Sequence, residues 1–206
     1  MGNERFLSGL ALLVLFALVI SGIHPYDRLT WGLEVAPVLI AAPVLAATYQ
    51  KFPLTRLLYI LIALHALVLI VGGAYTYAKV PLGFFLQDVF ELSRNPYDKI
   101  GHFMQGFVPA LVAREILIRR GYVAAGRMAA FLSVCVALAI SAFYELVEWW
   151  AALSLGQGAD EFLGTQGDSW DTQSDMFLAL IGATLAVVGL SRIQDRQIGG
   201  IEDRAN

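Results

Sequence analysis

The chain has 206 residues, 58% hydrophobic and 12% aromatic but only 15% charged, with a mean hydropathy of +0.65. A water-soluble domain carries roughly a quarter charged residues, so a soluble globule is excluded. The 14 basic and 17 acidic residues sum to −3 with no basic block, which excludes nucleic acid as a partner.

A bilayer core of ~30 Å asks for about 20 apolar residues per helix, and six stretches meet that demand. Residues 6–23 carry no charge and follow a lone Arg5, the pattern of an uncleaved anchor rather than a signal peptide. Residues 31–49 contain Pro37 and Pro43, which a membrane helix tolerates when neighbours repair the backbone. Residues 54–75 hold His65 on an apolar face, where a satisfied interior histidine is expected, and end on Gly72–Gly73, a close-packing pair. Residues 97–118 are the least apolar, with His102, Arg114 and Glu115 inside. Residues 128–153 contain the single cysteine, Cys135, which rules out an intrachain disulfide and reads as a small apolar residue in a packed helix. Residues 172–192 complete the set. The chain shows no repeat and no soluble segment, so residues 1–206 form one all-α transmembrane domain. Only the Gly-rich stretch 155–167 and the tail after Arg192 read as irregular.

Six helices put both termini on one side. That side carries ten Lys and Arg residues and the other four (Arg28, Lys79, Arg94 and Lys99). The positive-inside rule therefore makes the termini cytoplasmic and turns loops 24–30, 76–96 and 154–171 outward, in a bacterial inner membrane.

Twelve of the 17 acidic residues fall on or near the outer side. Asp98 and His102 are four apart, Glu145 and Glu148 three apart, and Asp171 and Asp175 four apart just after Asp168. These spacings put each pair on one helix face. His102, Glu145 and Asp175 lie 17, 18 and 17 residues from Arg119, Arg127 and Arg192, so all three sit at one depth, ~26 Å from the inner boundary. Six carboxylates and an imidazole at that depth repel one another, and Lys99 and Arg94 are too few to neutralise them. Either some hold protons or a divalent cation sits among them. Carboxylates with one histidine suit Zn, Mn, Fe or Mg, with Ca also compatible. Asp98, His102, Glu145 and Asp175 are the expected metal ligands, and Glu148, Asp168 and Asp171 the remaining catalytic carboxylates. Gln105 is placed to orient a ligand, and Trp170, Tyr75, Tyr77 and Glu34 to line the pocket. The aromatics Trp31, Tyr75, Tyr77, Trp149, Trp150 and Trp170 otherwise fit an interfacial belt.

The strings GGAYTYAKVPLG (72–83), NPYDKIGHFMQGFVPALVARE (95–115), YELVEWW (144–150) and GTQGDSWDTQSDM (164–176) resemble the YjdF-like family of bacterial inner-membrane proteins. The resemblance covers most of the chain from the third helix onward and implies a topology without a reaction. A fainter likeness is to VanZ-like proteins, through Asp98–Lys99 with His102, Glu145 with Glu148, and Asp171 with Asp175 and Gly182. Glu148 stands where that pattern has Gln, and no matching Asn is evident, so only a shared helix arrangement is implied.

Three functions use these residues differently. A metal-dependent hydrolase or transferase would act on a lipid or lipid-linked headgroup. A cation- or proton-coupled transporter, working as an oligomer in the absence of a repeat, would use the acids as ion sites. A structural or partner-binding protein would use them to hold its outer face together. No nucleophile elbow, P-loop or H-E-x-x-H occurs.

Overall fold

Inside a membrane a helix satisfies every peptide group without help from water, and this apolar chain folds accordingly. The computed structural model describes residues 2–155 and 166–205. Among them are seven helices and no strand: α1 (Gly2–Ile23), α2 (Arg28–Thr48), α3 (Arg56–Ala74), α4 (Pro81–Val89), α5 (Tyr97–Arg119), α6 (Arg127–Leu155) and α7 (Asp171–Ala205). Five of these, α1, α2, α3, α6 and α7, are long and apolar enough to cross a membrane. Asp27 caps α2, accepting from the Thr30 N–H at 2.7 Å, and the N–H and hydroxyl of Thr30 hold its carboxyl below the usual range.

Helix α5 is the exception that organises the rest. Its 23 residues reach ~34 Å, yet Asp98, Lys99, His102, Arg114 and Glu115 make it too polar to face lipid. It lies against α3, α6 and α7, most extensively against α7, while α1 and α2 pack on α3. The α5–α7 contact is backbone against backbone. A side chain at Gly106 would run into the Ala179 carbonyl, and one at Gly182 into the Phe103 carbonyl. Such small-residue seams are how helices associate where lipid removes the hydrophobic drive. Ala110, Ala137, Ala183 and Val187 continue the seam into α6.

One end of the bundle is closed by a polar network. Arg114 grips Asp195 through two hydrogen bonds of 2.7 and 3.1 Å and also reaches Gln194 at 3.1 Å. Glu115, fully buried, accepts from the Thr55 N–H (2.9 Å), the Thr55 hydroxyl (2.7 Å) and Arg119 (2.9 Å). Gln197 accepts from the Leu57 N–H at 2.9 Å. The Arg56 guanidinium lies 3.9 Å from the Phe6 ring, so the start of α1 and the late turns of α7 share this end.

Two expectations are corrected here, and one loop gains a helix. The tail after Arg192 is helical through Ala205, because Gln194, Asp195 and Gln197 anchor it to α5 and α3. Loop 76–96 contains α4, started by Pro81 at its first position. Cys135 is exposed on the outside of α6 rather than packed within it. Of the Gly-rich stretch, residues 156–165 lie outside the described residues, and Gln166–Trp170 form turns before α7.

Gly106→Leu forces α5 and α7 apart. The expected loss is about 1–3 kcal/mol or more of stability, read as a lower melting temperature in detergent. Gly189→Ala, where a side chain meets nothing within 4 Å, leaves the melting temperature unchanged or slightly raised.

Candidate functional site

At the opposite end of the bundle the polar residues of five helices converge. The first turns of α5 present Asp98, His102 and Gln105 on one face, and the second half of α6 presents Tyr144, Glu145 and Glu148. The start of α7 presents Asp171, Ser174 and Asp175, α2 contributes Glu34, and α3 contributes His65. Glu34, Asp98, His102, Glu145, Glu148, Asp171 and Asp175 are each at most 9% exposed. Burial this deep makes every unpaired oxygen costly.

His102 stands at the centre. Its Nε2 is 3.4 Å from Asp98 Oδ1 and 3.7 Å from Asp175 Oδ2. Its Nδ1 faces Gln105 Oε1 at 3.2 Å and Glu145 Oε1 at 3.7 Å. The Tyr144 ring meets the imidazole edge-on at 6.3 Å, and its hydroxyl donates to Glu34 Oε2 at 3.2 Å. Asp98, His102 and Asp175 each offer a ligand atom, all within 4.8 Å of one another. Two oxygens in this set, Asp98 Oδ2 and Glu145 Oε1, are buried with no hydrogen-bond partner.

Beside the histidine a cavity of about 170 Å³ runs inward, lined by Glu34, Tyr77, Asp98, His102, Gln105, Tyr144 and Glu148 and reaching His65. This volume exceeds what a water needs. Gly101 makes room for the Tyr77 ring, whose carbon would lie 2.9 Å from an added Cβ. Tyr77 itself leaves a tight turn with φ of +47°, which points it inward rather than to the interface. Toward the other end, Leu58, Leu111 and Ala186 are fully buried and close the path.

The expected site residues divide by what they touch. Asp171 is paired with Arg94 and lies 3.5 Å from Lys99, while Asp168 bonds Arg94 at 3.2 Å with a third of its side chain exposed. Both therefore sit in a cationic rim instead of serving as free carboxylates, which leaves Glu148 as the member of that group lining the cavity. Lys99 donates to Ser174 and reaches Asp175 Oδ1 at 3.2 Å. Trp170 and Tyr75 do not line the pocket. Trp170 sits in the turn where its N–H meets Asp168 Oδ1 at 2.9 Å, and both rings are exposed, as Trp149 and Trp150 are. Trp31 is partly buried and donates to Ser21 at 2.9 Å.

Two cavity residues were not foreseen. Tyr144 stands four before Glu148, the same spacing that marks the other pairs, but its apolar ring hid it among the aromatics. His65 was expected to be satisfied; instead its Nε2 is buried without a partner at the cavity floor.

Helices with buried charge only where protein surrounds it, and with exposed apolar faces elsewhere, define an integral membrane protein. The chain matches the family described as predicted membrane protein (DUF2238) over residues 6–196, and it belongs to that family. It is 63% identical over 188 residues to the inner membrane protein YjdF of Escherichia coli (strain K12), covering 91% of this chain and 90% of that protein. Its localisation is accordingly the inner membrane of a bacterium. No solved structure matches.

Tyr144→Phe removes the donor to the buried Glu34 carboxyl. The expected cost is about 1–3 kcal/mol, measured as a lower midpoint of unfolding in detergent. Tyr122→Phe, at an exposed position, leaves the midpoint in place.

Proposed function

We propose that the carboxylate–histidine site binds a divalent metal and acts on a lipid or lipid-linked headgroup, with α5 as a sixth span, both termini cytoplasmic and the site opening outward. The orientation is supported by the ten-to-four distribution of Lys and Arg.

The observation that carries the metal reading is the trio Asp98, His102 and Asp175, whose ligand atoms lie within 4.8 Å of one another, with Asp98 Oδ2 buried and without a hydrogen-bond partner. Buried polar atoms of this kind are rarely left unsatisfied, and a cation at the trio would meet it. With Nδ1–H donated to Gln105, Nε2 presents a lone pair between Asp98 and Asp175. Ligands on a ~2.1 Å shell stand ~3.4 Å apart, and the 3.4 and 3.7 Å separations fit that. Asp98, His102 and Asp175 would hold the ion, while Glu145, also expected as a ligand, stands on the Nδ1 side of the ring outside that trio. When bound, such an ion supplies polarisation of a phosphoryl or acyl oxygen and a more acidic water. Glu148, in the cavity wall, is the carboxyl group placed to exchange a proton with what enters. Tyr144 and Glu34 orient what enters, and the packed layer of Leu58, Leu111 and Ala186 beyond the cavity keeps bulk water out.

Transport by the same acids draws support from the unpartnered His65, which extends the polar path inward. The packed layer of Leu58, Leu111 and Ala186 stands against it.

Purified protein dialysed against Mn²⁺ or Zn²⁺ is expected to retain about one ion per chain by elemental analysis. Asp98→Asn, His102→Ala and Asp175→Asn are each expected to weaken retention tenfold or more. Undiminished occupancy in all three variants would remove the ligand set. In chelator-treated protein Asp98→Asn should raise the melting temperature, because a like charge leaves the crowd, while abolishing the rise that metal confers on the parent. A changed lipid profile between cells with and without the protein then tests the enzyme reading. An unchanged profile together with ion flux in liposomes favours transport.

A further inference from the structure

A second concavity, about 330 Å³, lies between α4, α5 and α7. Leu86 and Phe90 wall it from the end of α4, Ile100 and Phe103 from α5, and Leu178 from α7, with Lys99 at its edge. The groove is held open by design of the linker. Asn95 donates to the Val80 carbonyl at 3.0 Å and accepts from the Tyr97 N–H at 3.0 Å, fixing α4 against the start of α5. Gly83 lies directly beneath the Asn95 amide, where any side chain would collide.

What covers the groove follows from α4. At nine residues it is too short to cross, and it exposes Leu82, Phe85 and Val89. A helix of that kind lies along the membrane boundary, so the groove faces acyl chains. Its edge also touches the acid site. Lys99 Nζ is 3.2 Å from Asp175 Oδ1, and Asp175 Oδ2 is 3.7 Å from His102 Nε2. A headgroup whose chain fills the groove therefore comes to rest against the site.

Charge selects the headgroup. At the rim Arg94 and Lys99 alternate with the carboxylates Asp168 and Asp171, and a third of the Asp168 side chain is exposed. A headgroup bearing both signs meets complementary charge there, whereas a purely anionic one meets the two carboxylates as well as the cations.

We propose that this groove seats an acyl chain of an amine-bearing, zwitterionic phospholipid, its ammonium toward the part-exposed Asp168 and its phosphate toward Lys99. The assignment names the lipid class for the headgroup activity inferred above, and it rests on that reading.

The protein would be placed in nanodiscs of equal phosphatidylethanolamine and phosphatidylglycerol, doped with either lipid carrying a photoactivatable acyl chain. Crosslinks are mapped by peptide mass spectrometry. Labelling at 86–103 and around Leu178 is expected to exceed that on the exposed α1 residues Leu12 and Phe16 by at least about threefold, and to favour the ethanolamine lipid by a similar factor. Leu178→Trp, which fills the groove, should reduce the label there to the α1 level while melting temperature and metal retention hold. Equal labelling of α1 and groove, a preference for the glycerol lipid, or indifference to Leu178→Trp overturns the proposal. Groove labelling that persists in protein holding no metal leaves this assignment standing and removes the metal reading alone.

Discussion

A charge in a lipid bilayer must be wrapped in protein, and in this chain α5 carries the charges. Every other long helix can meet lipid on most of its surface; α5 cannot, since its two ends bear Asp98 with His102 and Arg114 with Glu115. The fold solves this by seating α5 against three neighbours and pressing its glycine directly onto the α7 backbone. That close approach brings Asp175 to His102 at one end and Asp195 to Arg114 at the other. Both polar centres therefore depend on one backbone seam.

The two centres contrast in how fully they are satisfied. Glu115 finds the N–H and hydroxyl of Thr55 and the guanidinium of Arg119, a closed set of partners that belongs to structure. The acid layer around His102 leaves Asp98 Oδ2, Glu145 Oε1 and His65 Nε2 without hydrogen-bond partners. Polar groups left open in a low-dielectric interior are expensive, and that expense is concentrated where a cavity adjoins them. At the other end of the bundle every carboxylate oxygen of Glu115 has a partner, although Arg114 Nε has none.

Much of this was legible in the residues. Apolar run lengths located the long helices except for the turns of α7 after Arg192, because a bilayer tolerates little else. Helical spacing paired Asp98 with His102 and Asp171 with Asp175, and counting back to basic residues put His102, Glu145 and Asp175 at one depth. What spacing could not convey was partnership across helices. Whether Asp171 is free or held by Arg94 depends on where loop 90–96 lies, and nothing local records that. Trp170 looked like a pocket residue because it adjoins acids in sequence, yet the turn before α7 aims it outward. The helical tail was obscured because its composition is that of a solvated segment, and its bonds to Leu111, Arg114 and Leu57 with the burial of Ile198 stabilise it.

Helix α7 has a mechanical consequence. Its 35 residues form an unbroken rod of ~52 Å, longer than the hydrocarbon is thick. Asp175 and Asp195 ride on that rod ~30 Å apart, each engaged with a basic side chain of α5. Sliding the rod by one turn, ~5.4 Å, would disengage both together. The ion pairs near its two ends thus hold α7 to a single register on α5.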